Sequence, residues 1–514
     1  MVDVQPPDEH NEQLVANVHP ADWKNPTPSG RYNLVVVGAG TAGLVSAIGA
    51  AGLGAKVALV ERHLMGGDCL NVGCVPSKAL IRAARAAHQV RTAGQFGVRS
   101  VNGEGASRGE GDLTADVDFA EVMQRMRKLR ASISPVDSAR RFTEAGVDVY
   151  LGDGTFTSGD TLEVAGQQLK FARAIIATGG RAAAPAIEGL EAAGYLTNET
   201  VFSLTQLPPR LAVIGGGPIG CELAQAFRRF GSEVHLIHRP ENLLNKEERD
   251  AAALIESQFV REGIHIHTGS NTVKVEATGV GKLVTIERDE QQQTLEIDEI
   301  LVAVGRRPNV EGLGLEAAGV KYRNRGVEVD DRLQTSNPRI FAAGDVCTKF
   351  QFTHAADAMA RICLRNALFP FGREKMSSLV IPRTTYTDPE VASVGMVAHD
   401  MNASFFPHDS YRQDLSHVDR AILDGEDEGF AVVHTQKDTD KIVGATIVAS
   451  HAGDMIGEIT ILMNKKLGLG TLGSVIHCYP TQVEVLKRIA DAYARTKLTP
   501  TVAGLFKRWL KWQR

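Results

Sequence analysis

A glycine turn set between a β-branched run and a helical stretch occurs twice in this chain, and few folds accommodate it. Leu34–Val37 is short and β-branched. Gly38-Ala39-Gly40-Thr41-Ala42-Gly43 follows, then a helical stretch, then a second run at Lys56–Val60 ending in Glu61. This order predicts a βαβ unit with a GxGxxG turn and an acid about twenty residues on. Gly38 permits the tight turn, Gly40 lets backbone approach a pyrophosphate, and Gly43 lets helix pack on strand; Glu61 can accept hydrogen bonds from a ribose diol. The order recurs at Leu211–Ile214, Gly215-Gly216-Gly217-Pro218-Ile219-Gly220, Cys221–Phe230 and Glu233–Ile237. Two dinucleotide units imply two dinucleotides, and electron transfer between them is the simplest chemistry.

Leu34 to Ala55 carries no charge and is long enough to span a bilayer. Six glycines in that stretch make a poor single helix, so it reads as strand, turn and helix. At 514 residues the chain needs two to four domains. A net charge of −5 gives no support for nucleic-acid binding and fits local sites for anionic cofactors. Six cysteines are no disulfide scaffold, and with no secretory signal a reducing, cytoplasmic setting is expected. Residues 1–30 are polar and Pro-rich, which predicts an extended arm; lacking cysteine, it is no metal-binding module.

The second unit differs where the ribose binds. His238 stands at the position of Glu61, and Arg239 follows. A carboxylate there repels a 2′-phosphate, whereas Arg239 can pair with one, and Lys246 adds charge. NADPH is therefore preferred, with NADH left open and Arg239 as a plain surface residue the alternative. Downstream, Ala177-Thr178-Gly179-Gly180 and Val304-Gly305-Arg306-Arg307-Pro308-Asn309 each close a strand, and Thr335–Asp345 runs into a Gly-Asp turn. Asp345 can hold the ribityl or phosphate-linked part of a flavin nucleotide. Gly67, Gly154, Thr178, Gly179, Gly215, Gly217, Gly220, Arg239 and Gly305 join the candidate cofactor-binding residues. From Ser377 on, alternating strands followed by helices predict a separate α+β domain.

Between these motifs lies Cys69-Leu70-Asn71-Val72-Gly73-Cys74, followed by Lys78. Five residues of ideal helix rise ~7.5 Å, beyond the ~4.4–6.8 Å of a disulfide. The pair can close only where the helix is distorted at its start, and Gly73 eases that distortion. A strained local bridge is reducible, as a catalytic disulfide must be.

From about Arg31 to Tyr493 these ordered motifs resemble the pyridine nucleotide–disulfide oxidoreductases, the group of dihydrolipoyl dehydrogenase, glutathione reductase and mercuric reductase. The resemblance implies an α/β fold with two Rossmann-like dinucleotide-binding domains and a C-terminal α+β dimerisation domain. Its divisions are 1–30 (arm), 31–182 (FAD, first segment), 183–310 (NAD(P)H), 311–376 (FAD and central segment), 377–496 (interface) and 497–514 (tail). It implies FAD and NAD(P)H as cofactors and a homodimer whose active site is completed by the partner chain. Cys74 would be the charge-transfer thiolate beside the flavin and Cys69 the thiol that exchanges with substrate. Lys78 would lie near the flavin and pair with Glu222.

The chain departs from that family's disulfide reductases at one point. They place a His-Pro pair, with a Glu four residues after the Pro, as an acid–base couple. Here the segment reads His477-Cys478-Tyr479-Pro480, with Glu484 in place. A phenol with a pKa near ~10 is a poor base at neutral pH. His477 would share a face with Tyr479 in an extended segment, and a supporting role is favoured for it. Mercuric reductases resemble the chain at this segment, and a thiolate pair suits Hg(II), which would bind as substrate at Cys69 and Cys74. Against that, mercuric reductases end in a vicinal cysteine pair and this chain does not. A dihydrolipoyl dehydrogenase or other small-disulfide reductase is the alternative; a flavin-containing metal-binding or membrane-recruited protein is a third. The tail Leu505-Phe506-Lys507-Arg508-Trp509-Leu510-Lys511-Trp512 reads as dimer packing in preference to a membrane-surface helix.

Overall fold

The computed structural model describes residues 4–99 and 115–514. The chain divides into two units: Met1–Arg239 with Glu262–Leu379, and Pro240–Arg261 with Val380–Arg514. Residues 240–261, expected in the middle domain, group with the second unit.

The first unit is built on β1 (Tyr32–Val37), β2 (Val57–Glu61), β3 (Val147–Leu151), β4 (Gly154–Ser158), β5 (Thr161–Val164) and β6 (Gln167–Ile176). They lie in the order β3-β2-β1-β6-β5-β4, and Ile340–Ala342 also pairs with β6. The central pairs β1–β2, β2–β3 and β1–β6 are parallel. Both faces of β1 are covered, which is why its residues form an unbroken apolar run. Leu34 and Val36 pack with Leu44, Ala47 and Ala50 on one side; Val35 and Val37 pack with Phe156 and Ile176 on the other.

The expected extended arm is partly helical. α1 (Glu9–Val18) starts on Asp8, whose side chain accepts the Asn11 amide at 2.8 Å. Leu14 and Val18, one turn apart, are fully buried. The flanking prolines hid this four-residue apolar repeat. Met1–Asp3 lie outside the described residues.

The Leu34–Ala55 stretch forms β1, its turn and α2 (Thr41–Gly52). No helix among the described residues is long and apolar enough to cross a membrane.

Also in this unit is a parallel sheet ordered His265–Thr268, Glu233–His238, Arg210–Ile214, Glu299–Val302, with a three-stranded antiparallel sheet of Asn271–Ala277, Lys282–Arg288 and Gln291–Ile297. Helix Pro218–Phe230 follows the second glycine turn. The second unit holds a five-stranded antiparallel sheet ordered Pro382–Thr385, Glu390–Gly395, Ile442–Ala449, Phe430–Gln436, His408–Asp414. Helices Ala452–Asn464 and Glu484–Thr496 bury Ile456, Ile459, Leu486 and Ile489 with it. The tail forms helix Pro500–Trp512, and none of its residues is buried.

Candidate active site

The two glycine turns are one object built twice. Gly38 and Gly215 have φ of +100° and +120°, and a Cβ on either would lie 2.4 Å from a carbonyl oxygen, of Ala177 and Ala303 respectively. A Cβ on Gly43 would meet the Gly38 oxygen at 1.8 Å, and one on Gly220 the Gly215 oxygen at the same distance. These four positions admit only glycine. At Gly217 nothing lies within 4 Å, and Gly40 has only the Gly67 Cα at 3.7 Å, so both middle positions leave the backbone approachable. No side chain caps α2 or helix Pro218–Phe230. Uncapped helix starts facing open glycines suit the pyrophosphate of a dinucleotide.

The residues ending the second strands also correspond. Glu61 Oε2 accepts the Ala39 amide at 2.6 Å, and Oε1 accepts that of His63 at 2.8 Å. Burial pushes its carboxyl above the usual range. His238 Nδ1 accepts the Gly216 amide at 3.0 Å. Its Nε2 is buried with no hydrogen-bond partner, and burial, then Arg239, lowers its pKa. The imidazole is therefore neutral, with its second nitrogen left over for a ligand. Both sites fit the groups the turns call for.

Of the residues expected to hold the flavin, Asp345 meets Arg306. Its guanidinium bonds Asp345 Oδ2 at 3.1 Å and the Gly180 oxygen at 2.7 Å, and it pairs closely with Asp68. Burial pushes Asp345 up. Thr178 donates to the Asn309 oxygen at 2.7 Å. Gly179 and Gly305 have open space where a Cβ would point, while Gly67 lies against Gly40, with 2.6 Å from its would-be Cβ to the Gly40 Cα. Gly154 packs among Val60, Leu162 and Val37. Arg306 was overlooked in the sequence, although it directly follows Gly305.

Cys69 lies in α3 (Gly67–Asn71) and Cys74 begins α4 (Cys74–Thr92). The helix breaks at Val72 and Gly73, where a Cβ on Gly73 would stand 2.7 Å from the Asp68 oxygen. The break brings the two thiols within hydrogen-bonding reach. Cys74 Sγ is also 3.2 Å from Thr353 Oγ1. Lys78, one turn on, meets Glu222 Oε2 of helix Pro218–Phe230 at 2.8 Å. The Cys69 hydrogen bond, then Thr353 and Lys78, outweigh burial and lower the Cys74 thiol to about 6. The helix start favours the same anion. Cys69, donor in that bond and half-buried, is pushed up. The pair is thus divided into a thiolate and a thiol. Cys347 and Cys363 are pushed up by burial.

Tyr479, His477 and Glu484 belong to the second unit. Tyr479 is exposed and donates to Asp419 Oδ2 at 2.9 Å, which raises its pKa further. His477 does not share its face: the side chain is shielded, with Nε2 3.1 Å from Glu458 Oε2. The segment is irregular, so strand alternation does not apply. Glu484 Oε1 accepts from Arg488 at 3.0 Å.

Comparison with known proteins agrees with this geometry. The family described as pyridine nucleotide-disulphide oxidoreductase matches residues 32–360, and its dimerisation domain matches 381–490. Mercuric reductase of Streptomyces lividans is 35% identical over 470 residues, covering 90% of this chain and 96% of that one. Dihydrolipoyl dehydrogenase of Thermus scotoductus is 34% identical over 471 residues, covering 90% and 97%. The structure of the HOCl-induced flavoprotein disulfide reductase RclA from Escherichia coli superposes with a TM-score of 0.77 at 25% identity, covering 90% and 99%. The dimerisation-domain match supports a homodimer. The chain belongs to the pyridine nucleotide–disulphide oxidoreductases and, as an enzyme of that family, works with FAD and NAD(P)H.

Proposed function

We propose that this enzyme carries electrons from NADPH through FAD to the Cys69–Cys74 pair and on to a soft, thiol-bound electrophile of the Hg(II) class. Tyr479 carries this reading. A small-disulfide reductase needs a base that returns a proton to the leaving thiolate, and a phenol held protonated by Asp419 supplies none. In exchange of a metal–thiol complex the soft metal itself displaces the Cys69 proton, which goes to one released thiolate while solvent supplies the other, so no dedicated base is needed. The reaction balances as Hg(SR)2 + NADPH + H+ → Hg(0) + 2 RSH + NADP+.

FAD, when bound, accepts hydride from the nicotinamide and passes on two electrons. The chain's own residues do the rest. Cys74, anionic at neutral pH, and Cys69 displace the thiol ligands from the metal. Lys78, held by Glu222, keeps positive charge beside Cys74. Arg306 orients Asp345 for the ribityl chain. Arg239 and the neutral His238 accept a 2′-phosphate that a carboxylate would repel, which favours NADPH. Tyr479 and Glu484 act at the partner's cysteine pair, with the Tyr479 hydroxyl a hydrogen-bond donor to the metal–thiol complex. Few, mostly scattered cysteines fit a reducing, cytoplasmic setting.

A second reading, exchange with lipoamide-type or other small disulfides, draws on the His477–Glu458 couple. Anaerobic reduction with NADPH, followed by separate mixing with Hg(II)-thiol, lipoamide and glutathione disulfide, distinguishes the two. Faster reoxidation by either disulfide than by Hg(II)-thiol would reject the first.

A further inference from the structure

Among the described residues, one group of three or more His, Cys, Asp and Glu side chains lies close enough to share a metal ion, and it is remote in sequence from Cys69 and Cys74. It stands on strands Glu233–His238 and His265–Thr268, which run parallel with His265 opposite His235. The two-residue period puts Glu233, His235, His265 and His267 on one face. The three imidazoles are stacked: the His235 ring is 4.7 Å from His265 and 5.4 Å from His267, within 19° and 15° of parallel.

Stacked imidazolium ions would repel one another. Burial and then His265 push His235 down, against the pull of Glu233. Burial, then His235 and His265, push His267 down to about 4.

Glu233 Oε1 lies 3.2 Å from His235 Nε2 and 4.0 Å from His265 Nε2. All three ligand atoms fall within 4.8 Å of one another. Donors of a tetrahedral zinc with bonds of ~2.0–2.1 Å sit about 3.3 Å apart, so small rotations of the half-exposed Glu233 and His265 close the set. His235 Nδ1 faces His267 Nε2 at 3.1 Å. When Nδ1 carries the proton and donates it to that bond, Nε2 is left to ligate, the orientation that metal-binding histidines require.

We propose that Glu233, His235 and His265 bind a divalent ion of the zinc class, with His267 positioning His235. Two imidazoles and one carboxylate favour such an ion over Mg(II) or Ca(II), and the fourth position is open to water. The site sits at the beginning of these strands, whereas His238 closes the first of them and the Gly215–Gly220 turn follows the end of the neighbouring strand Arg210–Ile214. The ion would clasp the edge strand His265–Thr268 to its neighbour, stabilising the sheet without entering the redox reaction.

The test uses untagged, FAD-loaded enzyme in the oxidised state, where Cys69 and Cys74 are joined and cannot compete for metal. Equilibrium dialysis against Zn(II) is expected to give one tight ion per chain. His235→Ala and His265→Ala each weaken it at least tenfold; His267→Ala weakens it ~10–100-fold, as loss of an orienting partner does. Zn(II) raises the Tm of the parent and not of His265→Ala. Retained FAD and unchanged NADPH-driven flavin reduction in metal-free His265→Ala show that the variant is folded; if it is not, His265→Gln takes its place. Zinc binding that is equal in the parent and the His235→Ala/His265→Ala double variant overturns the proposal, as does no tight binding at all.

Discussion

His238 holds the backbone amide of Gly216 at 3.0 Å, the contact that Glu61 makes with Ala39 in the other nucleotide unit. One anchoring task is done by a neutral ring in one case and a carboxylate in the other. His238→Glu keeps the anchor and adds the charge, so it is expected to lower kcat/KM for NADPH while sparing NADH. Arg239→Ala removes a charged hydrogen bond worth about 1.5–3 kcal/mol, or ~10–150-fold in kcat/KM for NADPH. Steady-state kinetics with both nucleotides checks this, and an equal loss with each would contradict the assignment.

The divided titration of the cysteines has a visible consequence. In enzyme reduced anaerobically, ultraviolet thiolate absorbance should rise through pH about 6, as Cys74 loses its proton. Cys69→Ala removes the hydrogen bond that contributes most, so the midpoint moves up towards the ordinary thiol range. Lys78→Met moves it in the same direction by less. A midpoint unmoved by Cys69→Ala would assign the low titration elsewhere.

Tyr479→His installs a base where the partner's thiols are expected. General acid–base catalysis is worth ~10²–10⁴-fold in evolved sites; an imidazole without tuned surroundings should recover ~10-fold in lipoamide or glutathione disulfide reduction. Tyr479→Phe should instead slow Hg(II)-thiol turnover and leave NADPH-driven flavin reduction unchanged. Stopped-flow measurement separates the two half-reactions.

Leu14 is fully buried on α1. Leu14→Ala should cost about 2–5 kcal/mol, read as a lower Tm and denaturant midpoint. Loss of stability no greater than for a surface substitution would mean that the helix contributes little to the core.

What could be read from the sequence was whatever local geometry dictates. Gly38, Gly43, Gly215 and Gly220 are recognisable because a Cβ at each would strike backbone. Cys74 and Lys78 share a face by helical spacing, and Gly73 marks the break between the two cysteines. Partners from distant segments carried no such signal. Thr353 reaches Cys74 across 279 residues, and Arg306 is fixed by Asp68 and Asp345 from opposite ends of its unit. The inward turn of His477 comes from an irregular loop seeking Glu458, which no periodicity encodes.

Asn71 sits two residues from Cys69 and is held on three sides. Its side-chain amide donates to Met65 and Gly67 oxygens at 3.1 and 2.9 Å, and its backbone carbonyl accepts from Arg130 at 2.6 Å. The same guanidinium grips Asn11 of α1 at 2.6 Å. The segment carrying Cys69 is therefore splinted to α1. Clipping or crowding that helix, by a protease or a bulky fusion, would detune the cysteine couple while leaving every atom of its chemistry intact.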